Sequence, residues 1–131
     1  MGKLLLCLAC IGMASGCGGT KAVLTNGKEA KNPGYQKISA KEAHSMMSEL
    51  EDFILLDVRT NDEYKERHIE GAVLIPVQEL GTRAETELPD KLKVIFVYCR
   101  SGRRSADAAR QLVKMDYKNV YDFGGINDWP Y

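Results

Sequence analysis

Several things are scarce in this sequence, and each shortage closes a class of function. Only two histidines and four cysteines occur in 131 residues. His44 and His68 with Cys99, the one cysteine left in the folded part, offer no metal-ligand spacing, so neither a metal nor another cofactor is expected. Charge of one sign is missing: 18 Lys and Arg are balanced by 18 Asp and Glu. Nothing global therefore draws the protein to nucleic acid or to an anionic membrane, and any recognition of an anion must be local. No apolar run approaches the roughly twenty residues that cross a bilayer, and no internal repeat is visible. What is present is ordinary: 44% hydrophobic and 27% charged positions, which excludes disordered, collagenous and multi-span membrane chains.

The N-terminus reads as an export signal. Met1-Gly2-Lys3 supplies a positive start, Leu4 to Ala14 an apolar stretch, and Ser15-Gly16 a small-residue exit. Ala14-Ser15-Gly16-Cys17 resembles the lipobox at which bacterial lipoproteins are cleaved and lipidated on the new N-terminal cysteine, with Ala14 where that pattern usually has Leu. The expectation is a signal peptide over 1–16, lipidation of Cys17, and export to the periplasm or cell envelope on a lipid anchor. Plain cleavage after Gly16 is the alternative. Residues 17–34, with Gly18-Gly19, Asn26-Gly27 and Asn32-Pro33-Gly34, read as a flexible tether. Cys7 and Cys10 leave with the signal and Cys17 takes the lipid, so Cys99 is the one thiol left and no internal disulfide is expected.

Residues 35–131 then form a single domain of alternating strands and helices. Ser39-Ala40-Lys41-Glu42 has capping-box spacing and predicts a helix to about Leu50. Strands are predicted at Phe53 to Val58, Ala72 to Ile75, Val94 to Tyr98 and Asn119 to Phe123, with helices at Asn61 to Arg67 and Val77 to Leu88. A last helix presents Ala106, Ala109, Leu112 and Val113 on one face and ends near Met115. Continuous apolar strands separated by helices imply an α/β fold with a mostly parallel sheet covered on both faces. Ligands in such sheets bind beyond the carboxyl ends of strands.

Cys99 stands at such an end. It follows the most strand-like stretch of the chain and leads through Arg100-Ser101-Gly102-Arg103-Arg104-Ser105 into a helix, where Ser105 and Asp107 suit an N-terminus. The helix dipole, free backbone amides and three guanidinium groups each favour thiolate over thiol. A lone cysteine is more often a buried, inert hydrophobe; the clustered arginines and small residues argue for chemistry here.

These residues resemble a known family. Cys99-Arg100-Ser101-Gly102-Arg103-Arg104-Ser105 looks like the active-site loop of single-domain rhodaneses, which are sulfurtransferases. Asp57-Val58-Arg59, Glu63-Tyr64, His68-Ile69-Glu70-Gly71-Ala72 and Ile75-Pro76 are similar to the family's upstream motif, and Gly124-Gly125-Ile126-Asn127-Asp128-Trp129 to its closing motif. Arg67 departs from the Gly that the family often has before the His-Ile pair. The resemblance implies a five-stranded rhodanese-like domain and a Cys99 nucleophile that takes the sulfane sulfur of thiosulfate or a similar small anionic donor. The resulting Cys99 persulfide would pass it to a thiophilic acceptor, cyanide or a thiol. The loop residues Arg100, Ser101, Gly102, Arg103, Arg104 and Ser105 would bind donor, and Asp57 and Arg59 would brace the loop by ion pairing.

Other readings carry less. His68 is assigned a structural hydrogen bond rather than a base, since a preformed thiolate needs no proton abstraction. Trp129 and Tyr131 are assigned to core packing. A phosphatase of the same fold would need a loop one residue longer, with arginine where Ser105 stands. A non-enzymatic persulfide carrier is the remaining alternative. A monomer is expected.

Overall fold

The computed structural model describes residues 34–131. The signal at 1–16, the lipidation site Cys17 and nearly all of the tether lie outside the described residues.

Five strands, β1 (Gln36–Lys37), β2 (Ile54–Asp57), β3 (Val73–Leu74), β4 (Val94–Cys99) and β5 (Asn119–Gly125), form one sheet in the order β1-β5-β4-β2-β3. Every pairing is parallel, as crossover helices dictate. Helices α1 (Ala40–Glu49), α2 (Asn61–Glu66), α3 (Leu80–Glu87) and α4 (Arg103–Lys114) connect them, with 3₁₀ turns at Val77–Glu79 and Ile126–Asp128.

Period-two alternation in β4 divides the core. Ile95, Val97 and Cys99 join Leu80, Ala84, Ala108, Ala109 and Leu112 of α3 and α4. Phe96 and Tyr98 point the other way, to Ala43 of α1, Leu55, Phe123 and Ile126, with Tyr64 of α2 packed alongside. Both faces of the sheet are therefore covered, and the fold is α/β with a wholly parallel five-stranded sheet. The central strand carries the catalytic candidate at its last residue.

Local rules set most boundaries. Ser39 caps α1 reciprocally with Glu42, at 3.0 and 2.9 Å. Thr60 does the same for α2 with Glu63, a second capping box.

The fifth strand of the expected sheet is the two-residue β1, exposed and too short for periodicity to register. Three expectations need correction. Val73 belongs to an apolar strand of a sheet expected to be covered on both faces, yet it is 41% exposed, because β3 is the sheet edge. On α4, Ala108 is buried where Ala106 is only half-buried. The same helix starts at left-handed Gly102 (φ +108°) with no side-chain cap, so Ser105 and Asp107 do not make its N-terminus.

Candidate active site

The site is built by the turn from β4 into α4. β4 and β5 run in register to Val97 and Asp122, then slip so that Cys99 faces Gly125. The slip brings Gly124-Gly125 under the loop. An added Cβ on Gly125 would run into the Arg100 carbonyl and lie 2.6 Å from Ser101 Cα. The two backbones therefore touch, and the Arg100 carbonyl accepts from Asn127 N–H at 3.3 Å. Gly102, in a conformation that glycine adopts without strain, turns its N–H onto Cys99 Sγ at 3.0 Å. The thiol is 1% exposed and lies at the start of α4, where backbone donors and the helix dipole favour negative charge.

The loop side chains have separate duties. Arg104 makes a two-pronged ion pair with Glu63 of α2, at 2.9 and 3.1 Å. That pair holds the Glu63 carboxyl down at about 2, the Arg104 hydrogen bond being the main cause and the Thr60 donors adding to it. Arg104 is raised in turn, chiefly by its hydrogen bond to Glu63. Arg100 lines a cleft of about 300 Å³ with Arg59, Glu63, Glu66, Arg67, Ile126 and Asn127. Arg103 and Ser101 are exposed. Ser105 is fully buried, and its hydroxyl donates to Asp122 Oδ1 at 2.7 Å, within reach of the Gly102 and Gly124 carbonyls. It holds the loop to β5 and has no free face for a ligand.

Asp57 and Arg59 are buried at the end of β2, and they pair with each other rather than with the loop arginines. Arg59 donates to both Asp57 oxygens and, at 2.6 Å, to the Arg67 carbonyl. Burial works against the Arg59 charge, but Asp57 more than offsets it and the pKa rises. Their link to the loop is Tyr98, the residue before Cys99. Its hydroxyl donates to Asp57 Oδ2 at 2.8 Å and accepts from Ile69 N–H at 3.1 Å. Burial foremost, with Asp57 beside it, pushes that phenol up.

Three residues escaped the pattern. Glu63 was quoted in the upstream motif with no role of its own; Thr60-Asn61-Asp62-Glu63 is a capping box whose carboxylate has a second use. Asp122 is fully buried and accepts from Ser105 and from Gly124 N–H at 2.9 Å. Its Oδ2 has no hydrogen bond among the described residues, Lys37 Nζ standing 3.5 Å away. An acid within an apolar strand was the available signal. Asn127 was quoted only as part of a motif. His68 Nδ1 sits 2.8 Å from the Tyr64 carbonyl, its ring stacked on Tyr64. Trp129 packs on Phe123, whereas Tyr131 is 56% exposed and does not close the core. Among the described residues, no three His, Cys, Asp or Glu side chains gather as metal ligands.

A buried sulfur that accepts from the Gly102 amide at the start of a helix, in a loop that carries three arginines, can attack an anionic electrophile. Comparison with known proteins supplies the family. The rhodanese-like domain model matches residues 39–130. The chain is 40% identical over 73 residues to the thiosulfate sulfurtransferase PspE of Escherichia coli (strain K12), covering 56% of this chain and 70% of that protein. It is 35% identical over 96 residues to the thiosulfate sulfurtransferase GlpE of Coxiella burnetii (strain RSA 331 / Henzerling II), covering 72% and 87%. A solved structure described as a rhodanese with anions from E. coli superposes with TM-score 0.57 at 38% identity, over 59% of this chain and 91% of that one. Relatives bearing the sulfurtransferase name at this similarity support a sulfurtransferase function. On its motifs, its fold and these matches, the chain belongs to the rhodanese-like domain family.

Proposed function

We propose that the protein moves sulfane sulfur from thiosulfate, or a similar small anionic donor, to a thiophilic acceptor by way of a Cys99 persulfide. The observation that carries this reading is the Gly102 N–H aimed at Cys99 Sγ at 3.0 Å, at the head of a helix and beside Arg100 and Arg104. The Cys99 thiolate attacks the outer sulfur of thiosulfate. The S–S bond of the donor breaks, sulfite leaves with the electron pair, and the transferred sulfur stays on Cys99 as a persulfide anion. The loop amides hold that charge, Gly102 N–H foremost, and preorganised donors do so without reorganising water. Cyanide or a thiolate then attacks the outer sulfur, and Cys99 departs as thiolate. No step needs a general base, which fits a site with neither histidine at the thiol.

Thiosulfate-to-cyanide transfer, read as thiocyanate, tests this on wild type and Cys99→Ser. Turnover in the first and none in the second is expected. No turnover in folded wild type would overturn the enzyme reading. A second reading, a persulfide carrier for a dedicated protein, is favoured by the burial of the thiol, 1% exposed. A persulfide that forms but is not discharged by small acceptors would select it. We further propose that the protein works as a monomer outside the cytoplasm, in the cell envelope, held to the membrane by a lipid on Cys17. Radiolabelled fatty acid incorporated by wild type and not by Cys17→Ala is the check.

A further inference from the structure

Two clefts meet beside the Cys99 loop. The first, about 300 Å³, is lined by Arg100 and Asn127, and the second, about 270 Å³, by His44, His68 and Trp129; Arg67 and Ile126 line both. Taken together as one groove through those shared residues, they run from the loop at Arg100 to an aromatic wall, where Trp129 and His44 meet edge to face at 5.8 Å. A five-atom oxyanion fills only a few times the ~30 Å³ share of one water molecule. Each cleft alone approaches the size of sites that take organic molecules, about 300 Å³ upward. The donor therefore leaves most of the groove unused.

Charge along the groove is uneven. In the first cleft Arg59 is held by Asp57 and Glu63 by Arg104. That leaves Arg67 and Arg100 facing one unpaired acid, Glu66; among the described residues neither guanidinium has a partner. In the second cleft Glu70 is the acid and Arg67 the cation. Arg67 thus stands where the loop end of the groove meets its aromatic end. Its backbone is extended (φ −170°) and its carbonyl, not its side chain, holds Arg59. The side chain is exposed and has no structural duty visible in the fold.

We infer that Arg67 determines acceptor specificity: the groove takes an organic thiol with an anionic group, held by Arg67 beside Arg100, and an aromatic body laid toward Trp129. This rests on the sulfur-transfer reading above. The acceptor thiolate attacks the outer sulfur of the Cys99 persulfide, the Cys99 S–S bond breaks with its electron pair on Cys99, and the acceptor leaves as its own persulfide. Arg67 touches only the acceptor's anionic group and is a binding residue.

Trp129 is the single tryptophan, so its indole N–H gives one NMR signal at the end of the groove. The probe is 2-(methylthio)-3-phenylpropanoate, whose sulfur and carboxylate sit together at one end and whose ring extends from the other; it cannot accept sulfur, and its uncharged alcohol counterpart stands beside it. In the full chain the carboxylate should shift the Trp129 signal saturably, about tenfold more tightly than the alcohol. Arg67→Met should abolish that preference, Arg67→Lys should restore part of it, and Cys99→Ser should leave it intact. With 2-mercapto-3-phenylpropanoate as acceptor, KM should rise about tenfold in Arg67→Met while cyanide turnover stays within twofold. An unmoved Trp129 signal, or equal binding by wild type and Arg67→Met, overturns the assignment while cyanide turnover still stands. Probe binding as expected in a protein that transfers no sulfur keeps the groove and overturns the transfer reading instead.

Discussion

Gly125→Ala tests how the loop is supported, because its effect is steric alone. Gly125 has φ −118° and ψ 153°, which any residue adopts, so alanine brings no conformational strain. The new methyl would nonetheless meet the Arg100 carbonyl and Ser101 Cα. These are backbone atoms and cannot swing aside, so the loop or β5 must move. Overpacking of this kind costs about 1–3 kcal/mol. At roughly 4–8 °C per kcal/mol for a domain of this size, Tm falls by about 5–20 °C. The movement falls on the loop that aims Gly102 N–H at Cys99, and a misplacement of ~1 Å at a reacting centre costs about a hundredfold in rate. Gly124→Ala is the control. Its φ is +91° with nothing within 4 Å of the added methyl, so it bears backbone strain of about 1–2 kcal/mol without displacing the loop. Thermal melts and the rate of sulfur uptake from thiosulfate should therefore separate the pair. Both destabilise, and only Gly125→Ala slows the chemistry about a hundredfold. Equal rates in the two variants would refute the claim that β5 supports the loop by direct contact.

Three further outcomes are expected. Glu63→Gln removes the ion pair with Arg104 and should cost about 1 kcal/mol at pH 7, since both side chains reach water. With the folded carboxyl at about 2, this contribution is fully present above about pH 4.5 and is lost as pH falls through about 2, so urea midpoints of wild type and variant should converge over that window. Arg59→Met leaves Asp57 buried and uncompensated, at a cost of about 3–5 kcal/mol by urea unfolding, whereas exposed Arg103→Met should cost under about 0.5 kcal/mol. Ser105→Ala takes a donor from Asp122, whose other oxygen already lacks a hydrogen bond; about 1–3 kcal/mol of stability should go, with sulfur uptake slowed as well.

The sequence made the α/β class readable because β4 and β2 are continuous apolar runs and Ser39 with Glu42 announces a helix. It made Cys99 readable because a thiol between a buried strand and a cluster of arginines has few inert explanations. Other features depend on distance between segments. β1 has two exposed residues and exists only because β5 offers them a partner edge. The Ser105 hydroxyl looked like a helix start because serine favours caps, but the turn is set by Gly102, and Asp122 from another strand takes the hydroxyl. Asp57 and Arg59 pair with each other, and their connection to the loop runs through Tyr98, whose hydroxyl lies on the opposite sheet face from Cys99. Arg104 finds Glu63 across 41 residues of chain. Such pairings follow from β-strand order, which local pattern does not encode.

The central claim is that Cys99 becomes a persulfide. Intact mass of the protein after incubation with thiosulfate, with no acceptor present, measures this directly. The account predicts a gain of one sulfur atom in wild type, located to the peptide carrying Cys99 and erased by cyanide, and no gain in Cys99→Ser. A wild-type protein that remains folded and keeps its original mass at saturating thiosulfate would contradict it.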